Sequence, residues 1–332
     1  MNIAIVGATG NVGRKILEVL EKKNISFNNL FLLASSKSVG TKLNYKDKEY
    51  QVHDLETFDF TRAKIIFFAA GKKISEKFVP MASKSSFVID NSSFYRMDPD
   101  VPLVVPQVNS YDLKRINKNI IANPNCSTIQ MVVALKPLHD NFNIKRVVVS
   151  TYQSVSGAGK VPMDELISQS KDYLAGKKIN SKNFTKQIAF NLIPHIDEFE
   201  EEGYTREEWK MISETKKILD SKINLTATCV RVPVMVSHAE SLNIEFDKSF
   251  DVKQIRNILD KAEGCKVLDD RKNGGYITPI EAENKNFTFI SRIRKDNTNE
   301  KAINLWIVSD NLLRGAALNA VEIAEAYIKT KQ

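Results

Sequence analysis

The first 126 residues alternate short apolar runs with segments of helical periodicity. The apolar runs, which are candidate strands, are NIAIV (2–6), LFLLAS (30–35), KIIFFAAG (64–71), SSFVIDNSS (85–93), LVVPQVN (103–109) and NIIANPN (119–125). Such alternation is typical of a parallel sheet covered by helices. We therefore predict an α/β fold for this half of the chain.

Beyond residue 126 the apolar runs become longer and more mixed in composition, and polar helical segments separate them. These runs are IKRVVVSTYQSVS (144–156), NLTATCVRVPVMV (224–236), ESLNIEFDK (240–248), NFTFISRIRK (286–295) and AINLWIVSD (302–310). They predict an α+β second domain over residues 127–310. The Ala-rich end, residues 311–332, has helical periodicity and is expected to return and complete the first domain, residues 1–126.

Composition narrows the class of protein. The chain has 332 residues, 42% of them apolar, and no apolar run reaches the length of a membrane span. The beginning MNIAIVGATG lacks a basic-then-apolar export signal, so a cytoplasmic protein is expected. The net charge is +8, but Lys and Arg are spread among 40 acidic residues, which does not favour a nucleic-acid partner. Three cysteines without CxxC spacing predict neither a disulfide framework nor a metal site.

A glycine-rich turn follows the first predicted strand and precedes an amphipathic segment. In this context backbone N–H groups and the positive end of the helix can bind a pyrophosphate, as in Rossmann-like domains. The spacing is GxxGxxG, and a purely structural turn is the alternative. The residues of the turn expected to bind the cofactor are Gly7, Thr9, Gly10, Asn11, Val12 and Gly13.

The end of the second predicted strand indicates which nicotinamide cofactor is bound. NAD-binding domains usually place an acidic residue there to bind the ribose hydroxyls. No acid occurs between Glu21 and Asp47, and the expected place holds ASSKSVG. Ser35, Ser36 and Ser38, with a lysine among them, would bind a 2′-phosphate that a carboxylate would repel. The sequence therefore favours NADP.

One cysteine stands at a predicted helix start, in NPNCST (123–128). Pro124 disfavours helical geometry before it, Asn125 is a good N-cap, and Cys126 falls on the first turn of a segment expected to end near Pro137. Thiols at the positive end of a helix ionise readily and act as nucleophiles. A thiolate can attack an acyl carbon, and the thioester can accept a hydride. The alternative is a small buried apolar residue.

Five segments in order along the whole chain are similar to those of aspartate-β-semialdehyde dehydrogenases. They are VGATGNVG, NPNCSTIQ, TYQSVSGAGK, RVPVMVSHAE and NLLRGAALNAVE. The resemblance implies NADPH-dependent reduction of L-aspartyl-4-phosphate to L-aspartate-4-semialdehyde and phosphate, in the biosynthesis of lysine, threonine, methionine and diaminopimelate. It also implies a homodimer with no nucleic-acid or membrane partner.

The resemblance assigns a role to individual residues of this chain. It implies Cys126 as the nucleophile, Asn125 beside the oxyanion and His238 as general acid/base. Its substrate-binding residues are Arg96, Gln153 (also a catalytic, substrate-orienting amide), Glu207, Lys210 and Arg231. Its further cofactor-binding residues are Gly71, Ser156, Gly157, Asn311 and Gly315.

Two of these assignments depend on local structure. Arg231 and His238 are seven residues apart, so one uninterrupted strand would send them to opposite faces, and Pro233 is expected to break it. Glu207 and Lys210 are neighbours on one helix face and could be a simple ion pair.

Three other readings remain open. The first is an N-acetyl-γ-glutamyl-phosphate reductase, which uses similar cysteine chemistry. The second is a phosphorylating dehydrogenase of the glyceraldehyde-3-phosphate type, whose Ser-Cys-Thr-Thr surround is absent here. The third is a non-catalytic NADP-binding sensor, because a nucleotide domain alone implies no turnover.

Overall fold

The computed structural model of the chain describes residues 1–330, which form two compact units. The first unit comprises Met1–Asn125 and the segment that begins at Ala316, and the second comprises Cys126–Gly315. The predicted terminal segment, 311–332, ends in two residues, Lys331 and Gln332, that lie outside the described part of the chain. Among the described residues, none of the helices has both the length and the apolar character that crossing a membrane requires.

The two units contain thirteen strands and nine helices over the described residues. The strands are β1 (Asn2–Val6), β2 (Asn29–Ala34), β3 (Lys42–Tyr45), β4 (Lys48–Asp54), β5 (Ile65–Phe68), β6 (Phe87–Asp90), β7 (Ile120–Ala122), β8 (Ile144–Gln153), β9 (Asn224–Arg231), β10 (His238–Phe246), β11 (Cys265–Val267), β12 (Thr288–Lys295) and β13 (Ala302–Ser309). The helices are α1 (Asn11–Lys22), α2 (Lys72–Ala82), α3 (Pro106–Asn109), α4 (Cys126–Phe142), α5 (Lys160–Leu174), α6 (Arg206–Ile218), α7 (Val252–Lys261), α8 (Pro279–Ala282) and α9 (Leu318–Thr330).

The sheet of the first unit has the order β3-β4-β2-β1-β5-β6-β7. Every neighbouring pair is parallel except β3 with β4, which form an antiparallel hairpin. The six parallel strands therefore follow the order of a doubly wound dinucleotide-binding sheet. The predicted parallel sheet is confirmed, and α9 packs against α1 in this unit.

Two details of the first unit differ from the sequence-based expectation. The segment LVVPQVN is not a strand, because Leu103 forms only an isolated bridge and α3 begins at Pro106. The side chain of Asn109 closes this turn by accepting from the N–H of Val105 and donating to the carbonyl of Leu103. The hairpin β3 and β4 was missed because its sequence is highly polar, although its apolar positions alternate.

The second unit is an α+β domain, as predicted, built on a six-stranded sheet of order β11-β12-β13-β10-β8-β9. β8 is parallel to β9, whereas β10 is antiparallel to both β8 and β13. The expected end of α4 near Pro137 is wrong, since the helix continues to Phe142. Leu138 and Phe142 are buried there, and burial of two such side chains, about 1.5–3 kcal/mol each, offsets the cost of about 3 kcal/mol for an internal proline.

Candidate active site

The sheet of the second unit brings the ends of several strands together. Gln153, the last residue of β8, is the register partner of Arg231, the last residue of β9. β10 runs antiparallel to β8 and starts at His238, which pairs with Ser309 at the end of β13. One end of the sheet therefore carries an amide, a guanidinium and an imidazole from three different strands.

The connection between β9 and β10 explains why Arg231 and His238 meet. β9 stops two residues before Pro233, and β10 begins only at His238, so the predicted break is confirmed. Ser237 has a φ of 76°, in the left-handed region that favours glycine. A β-carbon at position 157 would lie 3.1 Å from His238 Nε2 and 3.2 Å from Arg231 Nη1, so both side chains converge on Gly157.

Cys126 is the first residue of the 17-residue helix α4 and is partly exposed. The start of a helix carries a partial positive charge that favours a thiolate over a thiol. A short π-helical turn, Leu313–Ala317, follows β13 and passes close to this residue. A β-carbon at Gly315 would lie only 2.9 Å from Cys126 Cβ, so a residue without a side chain is needed there.

The other two cysteines are poor nucleophiles. Both are buried. Burial raises the pKa of Cys265 to about 12, and it also raises the pKa of Cys229, with the charge of Glu207 acting in the same direction. These thiols stay protonated at neutral pH, which leaves Cys126 as the candidate nucleophile.

A second group of polar residues comes from α6, which packs against β9. Gln153 Nε2 donates to Glu207 Oε1 at 3.2 Å and also to the hydroxyl of Ser127. Lys210 Nζ lies 3.2 Å from Glu207 Oε2 and 2.6 Å from Asp197 Oδ2. Glu207 therefore forms the expected ion pair and also contacts the amide of Gln153. Sequence reasoning missed Ser127 and Asp197, although Ser127 lies in the quoted NPNCST segment.

The neighbouring Glu208 has the structural role that its position in the helix predicts. Its carboxylate accepts from the backbone N–H of Thr205, and the Thr205 hydroxyl accepts from the N–H of Glu208, which completes a capping box. The other carboxylate oxygen accepts from the N–H of Cys229. Glu208 thus fixes the start of α6 to β9 and leaves Glu207 directed at the site.

Arg231 and His238 are both buried, and burial shapes their chemistry. Arg231 is 7% exposed and donates through Nη1 to the carbonyl of Ser154 at 2.7 Å. Burial lowers its pKa, and the negative charges of Glu207 and Cys126 oppose that change. Burial also lowers the pKa of His238 to about 3, with the charge of Arg231 acting in the same direction. The imidazole is therefore neutral at physiological pH.

The residues after β8 and β13 surround His238. Ser156, Gly157 and Asn311, expected at the cofactor, lie in this same unit, and Asn311 hydrogen-bonds to Ser156. Ser154, which sequence reasoning missed, donates its backbone N–H to His238 Nδ1 at 3.0 Å. The signal was available, because Ser154 lies inside the quoted TYQSVSGAGK segment.

The glycine-rich turn of the first unit joins β1 to α1. Gly7 has a φ of 82°, and a β-carbon there would lie 2.6 Å from the carbonyl oxygen of Ala69. Gly13 is in contact with the same turn, since its β-carbon would lie 2.2 Å from Gly7 O. Thr9, Asn11 and Val12 are partly exposed, and Gly10 immediately precedes α1. With no acid in its first turn, the start of α1 fits a bound pyrophosphate.

Two further segments of the first unit hold predicted cofactor residues. Ser35 and Ser36 are exposed just after β2, and Ser38 ends the following 3₁₀ turn. Gly71, at the start of α2, has a φ of 87° and open space around its α-carbon.

Arg96 and Asn125 are the remaining predicted residues of this unit, and both are buried. Arg96 donates through Nε to the carbonyl of Asn123 and through Nη2 to the carbonyl of Asn91, both at 2.9 Å. These bonds tie the arginine to the segment that leads from β7 into Asn125. The guanidinium is therefore held in place by backbone groups.

Comparisons with known proteins agree with this arrangement. Residues 2–116 match the semialdehyde dehydrogenase NAD binding domain, and residues 135–314 match the semialdehyde dehydrogenase dimerisation domain. The chain is 50% identical to aspartate-semialdehyde dehydrogenase of Aquifex aeolicus, covering 98% of both chains. It is 47% identical to the Rickettsia bellii enzyme of the same name, covering 99% of this chain and 98% of the relative.

A solved structure has the same fold over nearly the whole chain. The aspartate semialdehyde dehydrogenase II of Vibrio cholerae, crystallised in complex with ASA, superposes with a TM-score of 0.97 at 44% identity. The alignment covers 99% of this chain and 98% of that one. Together with the matched domains and the full-length relatives, this likeness shows that the chain is an oxidoreductase belonging to the aspartate-semialdehyde dehydrogenase family.

Proposed function

We propose that this protein reduces L-aspartyl-4-phosphate to L-aspartate-4-semialdehyde and phosphate with NADPH, through a thioester on Cys126. The reaction would serve the biosynthesis of lysine, threonine, methionine and diaminopimelate. The observation that carries the proposal is the position of a partly exposed thiol at the start of α4, in a unit whose sheet brings Gln153, Arg231 and His238 together.

Cys126, Asn125 and His238 each have a part in the proposed chemistry. The Cys126 thiolate attacks the acyl carbon, the carbon–oxygen bond to phosphate breaks, and phosphate leaves with the electron pair. NADPH, when bound, supplies the hydride that the thioester carbon accepts. The tetrahedral adduct then collapses, which releases the semialdehyde and restores the thiolate. Asn125 and His238 support the negative oxygen of these adducts.

The charged residues orient the substrate. Arg231 can hold the α-carboxylate with two parallel hydrogen bonds, and Glu207 can bind the α-ammonium. Lys210 and Arg96 are the candidate cations for the phosphate group. Gln153 would orient the reacting carbonyl. Because Arg231 is buried and held by the Ser154 carbonyl, its guanidinium is fixed before the substrate binds.

An assay in the reverse direction tests the proposed reaction. We expect the purified protein to reduce NADP⁺ when aspartate semialdehyde and phosphate are both present, and not when either is omitted. Turnover with N-acetyl-glutamate semialdehyde in its place would favour the reductase of that substrate. Tight NADP binding without turnover on either aldehyde would favour a sensor and contradict the proposal.

The preference for NADP rests on the exposed serines after β2. Replacing Ser35 by Asp puts a carboxylate where the 2′-phosphate is expected. We expect kcat/KM for NADPH to fall by about ten- to a hundredfold relative to kcat/KM for NADH, because like charges repel. Steady-state kinetics with both cofactors measure the ratio. Ser221→Asp, which adds the same charge at an exposed serine of the second unit, is the control and should leave the ratio unchanged.

We also propose that the protein is a homodimer formed through the second unit. This unit exposes a group of large apolar side chains on and near α5, including Val161 (62% exposed), Leu174 (78%) and Phe190 (60%). A groove of about 400 Å³ beside α5 is lined by Leu166, Leu174, Phe190 and Pro233, with Ser170 and Lys171 also in its lining. All of them lie within residues 135–314, which match the dimerisation domain. A group of exposed large apolar side chains, here called the apolar patch, is typical of an interface.

A charge placed in this apolar patch should disrupt the dimer. If two copies pair at this patch, Leu174→Glu buries a carboxylate in the interface. We therefore expect sedimentation velocity to show a monomer, or a dissociation constant of the dimer that is raised by at least about a hundredfold. Tyr111→Glu changes an exposed aromatic residue of the first unit, outside the matched dimerisation domain, and should remain dimeric. An unchanged dimer for Leu174→Glu would place the interface elsewhere.

A further inference from the structure

Asn311 is the centre of a buried hydrogen-bond network beside His238. It is 1% exposed. Its side-chain oxygen accepts from the backbone N–H of Ser237 at 2.9 Å and from the hydroxyls of Ser154 and Ser156 at 3.1 Å each. One carboxamide oxygen thus joins the residue that precedes His238 to the residue that follows β8.

Two backbone N–H groups fix the direction of the hydrogen bonds in this network, because an N–H group can only donate. The N–H of Ser237 requires the oxygen of the Asn311 carboxamide, and not its NH₂ group, to face it. The N–H of Ser154 donates to His238 Nδ1 at 3.0 Å, so Nδ1 must carry its lone pair there. A neutral imidazole in this position carries its single proton on Nε2.

Nε2 is the ring atom that faces the site. It has no hydrogen-bond partner among the described residues. A β-carbon at position 157 would lie 3.1 Å from this atom and 3.2 Å from Nη1 of Arg231. The charged groups that act on the ring are Arg231, at the end of β9, and Glu207, on α6, and their effects on its pKa are opposite. Since burial keeps the ring neutral, its tautomer decides whether Nε2 donates or accepts.

We propose that Asn311 is a positioning residue that, by holding Ser154 and Ser237 through one carboxamide oxygen, fixes neutral His238 as the tautomer with its proton on Nε2. The inference rests on the proposed function for its catalytic meaning. In this tautomer His238 donates a hydrogen bond from Nε2 to the oxygen of the tetrahedral adduct.

Ser237 strengthens the case for a positioning role. Its φ of 76° is unfavourable for a residue with a side chain, and the bond from its N–H to Asn311 holds it there. The conformation of Ser237 sets the direction in which His238 enters β10. Loss of the Asn311 oxygen would free both the backbone before His238 and the serine hydroxyl beside its Nδ1.

The tautomer can be observed directly by ¹⁵N NMR of the full-length protein labelled at its histidines. The His238 signals are those that disappear in the His238→Gln variant, which separates them from those of His53, His139 and His195. We expect the Nε2–H tautomer alone in the unsubstituted protein and a mixture of tautomers in Asn311→Ala. A proton on Nδ1 in the unsubstituted protein, or a single unchanged tautomer in Asn311→Ala, would overturn the proposal. This measurement does not depend on turnover, so it is separate from the test of the proposed function.

Kinetics supply the second readout. For Asn311→Ala we expect kcat to fall by about ten- to a hundredfold, with both KM values changed less than about threefold, because the reacting groups are affected more than substrate binding. Ser154→Ala removes only the hydroxyl link and should give a smaller loss of kcat. Ser291→Ala, a buried serine that bonds Ile277 and Leu268, is the control and should keep its kcat. A raised KM for the cofactor with unchanged kcat would instead assign Asn311 to cofactor binding alone.

Discussion

Replacing Cys126 by alanine is expected to lower kcat by about 10⁴-fold or more, because no other thiol of the chain can form the acyl-enzyme. The fold should remain, since the side chain is partly exposed at the first position of α4 and alanine favours helices. Initial rates of NADP⁺ reduction measure the loss. Thermal unfolding should show that the free energy of unfolding changes by at most about 1 kcal/mol.

Cys229→Ala is the matched control for this experiment. Cys229 is fully buried in β9, and its Sγ lies 3.7 Å from Sδ of Met211, so the substitution should reduce stability and leave kcat within about twofold. Alkylation followed by mass spectrometry gives an independent comparison. At pH 7 we expect iodoacetamide to modify Cys126 first, since burial keeps Cys229 and Cys265 protonated. Equal activity of the two alanine variants would remove Cys126 from its proposed role.

Gly315→Ala is expected to reduce kcat by about a hundredfold, although residue 315 carries no chemical group. The new methyl group would lie 2.9 Å from Cys126 Cβ, 3.2 Å from its Cα and 3.3 Å from its carbonyl oxygen. Two of these three atoms belong to the backbone, so a change of the Cys126 rotamer alone cannot relieve the contact. The start of α4 must shift, and displacement of a nucleophile by about 1 Å costs about a hundredfold in rate.

The effect of Gly315→Ala should be specific to the site. Gly176→Ala adds a methyl group after α5 where no atom lies within 4 Å, and although its φ of 66° makes it strained, its kcat should be preserved. The rate of Cys126 alkylation offers a second measurement, since a displaced thiol loses its place at the helix start. If Gly315→Ala kept full activity and the normal alkylation rate, close packing of the turn against Cys126 would be wrong.

Local sequence signals were sufficient for most of the secondary structure. The alternation of apolar and helical segments predicted the parallel sheet, because strands and helices bury their apolar faces with different periods. The capping box at Thr205 and Glu208 was predictable because it involves residues three apart. The segment LVVPQVN was assigned wrongly since a proline and a side-chain bond from Asn109, both local but easily overlooked, favour a helical turn there.

Less of the candidate active site could be predicted from local sequence signals. Cys126 was found because its signal is local: a proline, a capping residue and a helix start within four residues. The convergence of Arg231 and His238 depends on the register of β8, β9 and β10, which the spacing of seven residues could not supply. Asp197 carried no pattern of its own, because a hydrogen-bond partner is defined only when distant segments meet.

The sequence by itself determined most of the helices and strands of this protein. It also determined that a thiol stands at a helix start and that a glycine-rich turn leaves room for a phosphate. Each of these features depends on residues that are neighbours along the chain. The tertiary structure alone decided which groups are buried, and therefore how they ionise. Glu240 is an ordinary acid in the sequence, yet complete burial raises its pKa well above the usual value. His238, two residues earlier, is kept neutral by the same desolvation, since removal of water penalises the charged form of either group.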